Sequence, residues 1–302
     1  MKVAAFLDSW LQRKRGMGNT RENTLLTYEW AVRILNNRLG TLDLVSLTKQ
    51  KVEDAYISMR QDRKSPRSIS LIHSVLNSAL DDAIDNALIP TNPAARAQHP
   101  KIAKPSSSDS PRLPEDDLKK LLAAAVFDDR GILVRFALGT GCRRGEIAAL
   151  DWSDIDFTAQ TVTISKTLVQ NGSFLKMGPP KSEAGKRTLM LPKTLLGELW
   201  GVYSMATNKT GPVFTTQTGS RLRPVVISDH VTRIMREAGV TGYSIHDLRH
   251  THISVLLSSG VPLPAVARRA GHADVRTTMG VYAHAAPSED SLCASQIEKA
   301  MI

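Results

Sequence analysis

The residues between positions 243 and 284 carry a concentration of side chains suited to phosphate chemistry. His246 and Arg249 stand three residues apart at the start of an apolar helical pattern, so both project from one helix face. His272 follows in a Gly-His pair, and Tyr282 comes ten residues after it. Cationic groups, a hydrogen-bonding imidazole and a phenol are what covalent phosphoryl transfer through a tyrosine requires.

The composition is typical of a globular protein with a polyanionic partner. At 302 residues the chain is long enough for two domains with separate cores, and its 42% of hydrophobic residues is an ordinary fraction. The formal net charge of +10 is compatible with a nucleic acid partner, although a basic balance alone does not select one. Both halves of the chain are basic, so both are candidates for contact with the same polymer.

The sequence has no pattern for export or membrane insertion. The first apolar run stops at Asp8, too early for a signal peptide, and no stretch approaches the roughly 20 apolar residues of a membrane span. Cys142 and Cys293 are far apart and cannot by themselves build a disulfide framework or a four-ligand zinc site. We therefore expect a cytoplasmic protein with reduced thiols and no membrane partner.

Helical patterns fill the first hundred residues. Thr48 is placed to cap one helix, and Ser65 followed by Pro66 is typical of an N-cap and a first helical residue. These patterns predict a helical bundle over residues 1–98. Residues 99–111 are rich in Pro and Ser, lack periodicity and carry lysines, which predicts a basic linker.

The remainder mixes helices with short strands. A helical run from Pro114 to Leu138 precedes a Gly-Thr-Gly break, after which Arg143 opens another helix whose free N–H groups and dipole suit a phosphate. Three alternating segments predict an antiparallel meander with Lys181 on the loop of its second hairpin. The predicted strands are residues 161–166, 173–177 and 187–191. The expected fold is mainly α with a small antiparallel β-sheet: an N-terminal helical bundle plus an α+β domain over residues 112–286.

A series of motifs then carries a resemblance to a known family. The pieces, in chain order, are TGCRRGEIAALDWSDIDF, PPKSEAGKRTLMLP, HDLRHTHIS, AGHADVRTT and MGVYAH. Over residues 112–284 they resemble the motif series of the tyrosine recombinase family, in its order and spacing. The first domain is similar to the helical core-binding domain of phage-type integrases, through phrases such as LNSALDDAIDNALIPTNPA. The resemblance implies a tyrosine recombinase catalytic domain that forms a 3′-phosphotyrosyl bond, releases a 5′-hydroxyl and needs no metal or nucleotide cofactor.

The resemblance also assigns catalytic residues position by position. The set that it implies is Arg143, Lys181, His246, Arg249, His272 and Tyr282. The two arginines carry planar guanidinium groups that bind non-bridging phosphate oxygens and stabilise the charge of a five-coordinate transition state. Tyr282 is the nucleophile, and its phenol needs help to lose its proton at neutral pH. His246 is the expected proton partner, Lys181 protonates the leaving 5′-oxygen and His272 hydrogen-bonds the scissile phosphate.

Each of these residues also has an ordinary structural interpretation. The spacing of Tyr282 from Val275 and Met279 equally fits a core position. His246 and His250, four apart, imitate a zinc-binding HExxH helix, although Asp replaces the Glu and an arginine lies between them. Tyr243 is a competing nucleophile that lacks the family position.

The upstream residues have structural alternatives as well. Arg143 and Lys181, taken alone, fit solvated surface charges. Glu146 fits a solvated carboxylate at a helix start, with orientation of an arginine as the other hypothesis. Cys142 fits a small packing residue, although its cationic neighbours could lower its pKa. The joint occurrence of the catalytic set in family order argues against these separate interpretations.

The resemblance leaves several points open. Ala270 stands where family members usually carry Leu. Many phage integrases carry an arm-site DNA-binding domain before the helical bundle, and we expect either a short integrase without that domain or a chain from which it has been removed. Residues 287–302 predict a helical tail that packs either on its own domain or on a neighbouring protomer, as relatives do in tetramers on paired DNA sites. The expected partners are double-stranded DNA at core attachment sites and three further copies in a homo-tetramer, and an excision directionality protein is a further candidate.

Three function classes follow. The first is site-specific recombination, with integration or excision of a phage or other mobile element favoured over an Xer-like resolvase role. The second is a type IB topoisomerase-like enzyme that relaxes DNA by the same tyrosine chemistry. The third is a DNA-binding protein with an inactive pocket, against which the complete catalytic set argues.

Overall fold

A computed structural model describes residues 1–20, 22–100, 112–171, 174–180 and 182–282. The chain divides into two compact units, Met1–Lys104 and Pro105–Ile302. The predicted linker, residues 99–111, lies almost wholly outside the described residues, as does the predicted tail, residues 287–302. The domain boundaries inferred from the sequence therefore remain a proposal.

The first unit is helical. Its four α-helices are α1 (Val3–Gly16), α2 (Glu22–Leu39), α3 (Lys49–Gln61) and α4 (Pro66–Asp85). The predicted caps are present, because the Thr48 side chain accepts from the Lys51 N–H at 3.4 Å and the Ser65 hydroxyl accepts from the Ser68 N–H at 3.1 Å. Each cap satisfies one of the N–H groups that the first turn of a helix leaves free.

An apolar core holds these four helices together. Leu35 of α2, Met59 of α3 and Leu76 of α4 are fully buried in it, together with Phe6 and Trp10 of α1. Since hydrophobic burial contributes roughly 25 cal/mol per Å² of apolar surface, these contacts are the main source of the bundle's stability.

The second unit contains eight further α-helices in its described part. They are α5 (Glu115–Val126), α6 (Gly131–Thr140), α7 (Arg144–Ala149), α8 (Lys193–Met205), α9 (Pro224–Glu237), α10 (Ile245–Ser258), α11 (Leu263–Ala270) and α12 (Val275–Tyr282). The helical run predicted from Pro114 to Leu138 is two helices. The chain turns between them, where the Asp128 carboxylate accepts from the Arg130 N–H at 2.7 Å and the Asp128 carbonyl accepts from the Gly131 N–H at 2.8 Å.

The strands pair differently from the predicted meander. They are β1 (Ile155–Asp156), β2 (Thr161–Ile164), β3 (Thr167–Asn171), β4 (Phe174–Gly178) and β5 (Arg187–Met190). One antiparallel sheet has the order β1-β2-β5, and β3 and β4 form a separate antiparallel pair. The predicted second strand therefore pairs with β3, which the sequence analysis missed, and not with β5. The loop predicted for the second hairpin contains a short 3₁₀ segment, Glu183–Gly185.

The prediction of a mainly α fold with small antiparallel sheets is confirmed. The core of the second unit joins Phe136 of α6, Leu189 of β5, Ile234 of α9 and Leu248 of α10. Helix α6 packs against α10, and β5 contacts α11. The candidate site is built from the start of α7, from α10 and from the end of α11. Across the described residues, no helix has the length and apolar character needed to cross a membrane.

Candidate active site

Arg143 lies at the N-cap of α7, where the sequence analysis expected a phosphate-binding helix start. Its guanidinium donates to Glu146 Oε1 at 2.9 Å and to the Gly271 carbonyl at 3.3 Å, and its backbone N–H donates to Glu146 Oε2 at 3.0 Å. The Arg143 side chain keeps 38% of its surface exposed. Glu146 and the Gly271 carbonyl therefore fix the guanidinium, and its exposed face remains accessible to a ligand.

Glu146 is not the solvated carboxylate that the sequence favoured. Its side chain is only 2% exposed and accepts hydrogen bonds from both Arg143 and Arg187. Burial alone would raise the pKa of Glu146, but the hydrogen bond and charge of Arg187, followed by those of Arg143, outweigh burial and hold that pKa below its ordinary value. The other hypothesis, that Glu146 orients an arginine, fits these contacts.

Arg249 is the most deeply placed of the predicted arginines. Its side chain, 2% exposed, projects from α10 and donates to the Gly141 carbonyl at 2.6 Å and to the Ala270 carbonyl. Burial, and then the charge of Arg143, lower the pKa of Arg249 to about 10, so the guanidinium keeps its charge at neutral pH. Gly141 adopts φ 65° after α6, and a Cβ there would lie 2.6 Å from the His252 ring. Glycine is required at that position.

His272 follows the C-terminal glycine of α11, directly after the two carbonyls that the arginines hold. Its Nδ1 lies 2.8 Å from the hydroxyl of Thr278, a fully buried side chain of α12. Burial, then the charges of Arg249 and Arg143, lower the pKa of His272 to about 4. His272 is therefore neutral at physiological pH, and it links α12 to the two arginines.

His246 occupies the first turn of α10, which Ser244 and Asp247 cap in a reciprocal capping box. Its ring meets that of His250 edge to face at 5.0 Å. Desolvation, then the charges of His250 and Arg249, lower the pKa of His246, which keeps the imidazole neutral and able to accept a proton. Within the described ranges, no three His, Cys, Asp or Glu side chains are arranged to hold a metal ion.

Two predicted catalytic residues fall partly or wholly outside what the structure describes. Lys181 lies outside the described residues, between β4 and β5 in the chain. Tyr282 is the last residue of α12, and the described part of that residue is its backbone. Tyr282 comes one helical turn after Thr278, the residue that contacts His272. The structure thus brings together Arg143, His246, Arg249 and His272, while the roles of all six residues remain proposals.

Sequence reasoning missed a second set of polar residues behind the site. Arg187, the first residue of β5, donates to Glu146 Oε2 at 2.9 Å. Arg269 of α11 donates to His252 Nε2 at 3.2 Å and to the Gly139 carbonyl at 3.0 Å. Arg187 lies in the PPKSEAGKRTLMLP motif, and this motif was the signal that could have identified it. An arginine in a strand with alternating residues nevertheless predicts a solvent-exposed side chain. Only the folded arrangement reveals its partners.

Cys142 is the small packing residue that the sequence analysis favoured, since it is buried in the core of the second unit. Burial raises the pKa of the Cys142 thiol to about 11 against the opposing charge of Arg187. Cationic neighbours therefore do not make it a thiolate at neutral pH.

Comparison with known proteins identifies the family of this chain. The sequence model of the phage integrase family matches residues 111–289, more than half of the chain and nearly all of the second unit. The chain belongs to the phage integrase family. This confirms the resemblance drawn from the motifs, and as a tyrosine recombinase the protein is a site-specific DNA recombinase.

Two curated relatives are similar along most of their length. A tyrosine recombinase XerC of Shewanella amazonensis is 28% identical over 283 residues, which cover 89% of this chain and 89% of the relative. A XerC-like tyrosine recombinase of Caldanaerobacter subterraneus subsp. tengcongensis is 25% identical over 297 residues, which cover 88% of this chain and 75% of the relative. Both alignments extend into the helical first unit, which the family model does not match.

Solved structures share the fold. The integrase of transposon Tn1549, bound to transposon right end DNA, superposes with a TM-score of 0.81 at 21% identity, covering 99% of this chain and all of that one. A chain of the lambda integrase tetramer bound to a Holliday junction superposes with a TM-score of 0.72 at 18% identity, and the match covers 93% of this chain and 77% of that one. The expectation of a helical domain followed by a recombinase catalytic domain is therefore correct at the level of fold.

Proposed function

We propose that this integrase family member joins and excises the DNA of a mobile element through a 3′-phosphotyrosyl intermediate. One observation carries the proposal: the guanidinium groups of Arg143 and Arg249 contact the carbonyls of consecutive residues, Gly271 and Ala270, which lead directly into His272. Two fixed cations and a neutral imidazole thus converge, and this combination suits the equatorial oxygens of a phosphodiester under attack.

The phosphate is held by three of the proposed residues. Arg143, with its exposed face, and Arg249 bind the non-bridging oxygens and stabilise the charge that develops in the transition state. In the proposed tautomer, His272 Nδ1 accepts from the Thr278 hydroxyl, 2.8 Å away, and the Nε2–H donates to the phosphate. Because the pKa of His272 is about 4, this donor does not titrate near neutral pH.

The covalent step exchanges one phosphodiester for another. The Tyr282 hydroxyl oxygen attacks phosphorus, the bond from phosphorus to the 5′-oxygen breaks, and the 3′-phosphotyrosyl bond forms. His246, neutral because its pKa is lowered, accepts the phenol proton, and Lys181 gives a proton to the departing 5′-oxygen. The reverse reaction, with the 5′-hydroxyl of a second strand as nucleophile, completes the exchange without an external energy source.

The proposed partners are duplex DNA at core attachment sites and three further copies of the chain, with an excision directionality protein as a further proposal. The net charge of +10 supports a DNA partner, and the lambda integrase tetramer on a Holliday junction supports this assembly by analogy of fold. Relatives named as integrases include that of Staphylococcus phage L54a, 29% identical over 175 residues. The full-length similarity to XerC favours a second candidate, a resolvase of the same family.

Covalent capture of DNA tests the chemistry. A duplex carrying the attachment site is nicked beside the cleavage position, so that a short 5′-hydroxyl fragment diffuses away and the covalent complex accumulates. We expect Tyr282→Phe to abolish this complex and to leave DNA binding intact, while Tyr243→Phe, the competing phenol, retains it. A covalent complex formed by Tyr282→Phe would contradict the assignment.

A plasmid assay separates the biological roles. Two attachment sites placed on separate plasmids report integration, and two sites on one plasmid report resolution. An integrase joins separate plasmids, whereas a resolvase acts on the paired sites of one molecule. Relaxation of supercoils without any exchange would instead identify a topoisomerase-like enzyme.

A further inference from the structure

Arg187 connects three segments that supply the active site. Its Nη2 donates to Glu146 Oε2 at 2.9 Å, its Nε donates to the Arg269 carbonyl at 2.8 Å and its Nη1 donates to the Gly185 carbonyl at 2.9 Å. Glu146 belongs to α7, Arg269 to the end of α11, and Gly185 to the loop between β4 and β5.

We propose that Arg187 is a positioning residue of the recombination reaction: it locks Glu146, and through Glu146 the guanidinium of Arg143, against the segments that carry His272 and Lys181. This inference rests on the proposed function, because it concerns the same site. Arg187 does not touch DNA. The Arg187 side chain is 6% exposed and that of Arg143 is 38% exposed. The phosphate therefore reaches Arg143 and does not reach Arg187.

The geometry requires a guanidinium. Three acceptors lie around one planar group, and a fork with five N–H donors can serve all three at once. A lysine ammonium carries its charge on one atom at the end of a flexible chain and reaches fewer of these acceptors. The space is also limited, because Gly271 has φ 68° and a Cβ there would lie 2.8 Å from Arg187 Nη1.

The charge balance around Glu146 explains how the effect reaches Arg143. Glu146 is buried between two guanidinium groups, one of which is closed to solvent and one open. With Arg187 in place, the carboxylate stays ionised and holds Arg143 by its side chain and its backbone N–H. Without Arg187, Arg143 is the remaining cationic partner of Glu146, and burial raises the pKa of the Glu146 carboxyl. Protonated Glu146 no longer holds the Arg143 guanidinium.

The test compares Arg187→Met and Arg187→Lys with a matched control, Arg135→Met. Arg135 also lies in the second unit and bonds a glutamate, Glu198, and one backbone carbonyl, that of Ala125. Neither of these partners belongs to the site. Covalent capture of the nicked duplex is measured from pH 5.5 to 8.5, and binding of the uncut duplex is measured separately. Each rate is compared below the melting temperature of its variant.

We expect Arg187→Met to slow covalent capture by about 100-fold with binding of the uncut duplex changed by less than about threefold, because Arg143, no longer held in place, stabilises the transition state less well. Capture by this variant should fall more steeply than capture by wild type as the pH is lowered, because Glu146 then takes up a proton at a higher pH. Arg187→Lys should recover part of the rate and most of the wild-type pH dependence, because it keeps the charge but not the fork. Arg135→Met should show wild-type capture at every pH.

A second readout does not depend on catalysis. The pKa of the Glu146 carboxyl, followed by ¹³C NMR, should rise in Arg187→Met and stay unchanged in Arg135→Met. An unchanged Glu146 pKa, or a capture defect no larger than that of Arg135→Met, overturns the positioning role. If wild type forms no covalent complex, the proposed function fails, and the Glu146 titration alone still decides whether Arg187 controls this carboxylate.

Discussion

The buried side chains of the first unit are apolar, whereas those of the second unit include charged and polar groups close to the candidate site. Trp10 and Tyr56 are among the largest buried residues of the first unit. The Trp10 indole N–H is hydrogen-bonded to Asp82, and the Tyr56 hydroxyl is hydrogen-bonded to His73. The buried polar and charged residues identified within the described ranges all belong to the second unit. They are Thr140, Glu146, Arg249, Thr251, His252, Ser254 and Thr278.

This difference separates a scaffold from a preorganised site. Burying a guanidinium or a carboxylate costs free energy of desolvation, and hydrogen bonds and opposite charges offset that cost only when the geometry is well satisfied. For the buried Arg249 the partners are the backbone carbonyls of Gly141 and Ala270, which side-chain rearrangement cannot remove. Charges fixed in this way cost no reorganisation when a phosphate arrives.

The largest expected effect comes from Arg249. Arg249→Ala removes a cation fixed at the proposed phosphate, and we expect covalent capture of DNA to fall by about 10³-fold or more. Stability should also fall, because two buried carbonyls lose their donor. The matched control is Arg233→Ala, an arginine of α9 whose side chain is 36% exposed and is paired with Asp128 and Glu237.

Arg233→Ala should change stability by less than about 1 kcal/mol and leave capture unchanged, since exposed ion pairs contribute little. Urea unfolding and the capture assay measure the two quantities. Equal losses of activity in the two variants would mean that buried charge has no special role in the second unit.

The next effect belongs to the apolar core of the first unit. Leu76 of α4 is fully buried, and Leu76→Ala should lower the free energy of unfolding by about 2–5 kcal/mol through lost burial and a residual cavity. The rate of covalent capture, measured on the folded fraction, should change little. A loss of capture comparable with that of Arg249→Ala would show that the scaffold and the site are not separate.

The same contrast explains which features the sequence predicted. Thr48 and Ser65 are local signals, since an N-cap hydroxyl acts within three residues, and both caps are present in the structure. The catalytic set came from a motif series, and the structure places Arg143, Arg249 and His272 together.

Features that depend on distant partners were not predicted. Strand β2 pairs with β1 and with the distant β5, and β3, the next strand in the chain, pairs with β4 instead. Alternation of apolar residues fixes which face of a strand is buried but not which strand lies alongside. The burial of Glu146 follows from Arg187, which lies beyond a complete β-hairpin in the chain. A single sequence contains no signal for such a pair.

The pH dependence of stability should also distinguish the buried polar groups. His252 donates from Nδ1 to the Leu138 carbonyl and accepts at Nε2 from Arg269. Burial, then the charge of Arg269, lower its pKa from 6.5 to about 4. A depressed histidine pKa means that the unfolded chain binds more protons between those values, so stability falls as the pH is lowered through this window.

We expect His252 to account for about 1–2 kcal/mol of stability lost between pH 7 and pH 5. His252→Gln keeps one donor and one acceptor but does not titrate, so its unfolding free energy should depend less steeply on pH over this range. Urea unfolding at several pH values measures the slopes. Parallel slopes for wild type and His252→Gln would show that His252 is not held neutral by burial.

The smallest effect tests the comparison with two helix caps of the same chemistry. The Ser65 hydroxyl caps α4 in the scaffold, and the Ser244 hydroxyl accepts from the His246 N–H at 3.3 Å at the start of α10. Replacing either serine by alanine should lower the free energy of unfolding by about 1 kcal/mol, the usual contribution of a cap. Only Ser244→Ala loosens the turn that holds the proposed proton acceptor, so it alone should slow covalent capture, by about three- to tenfold. Equal capture rates in Ser65→Ala and Ser244→Ala, with equal losses of stability, would mean that the position of His246 does not depend on its cap, and would weaken its assignment as the group that receives the tyrosine proton.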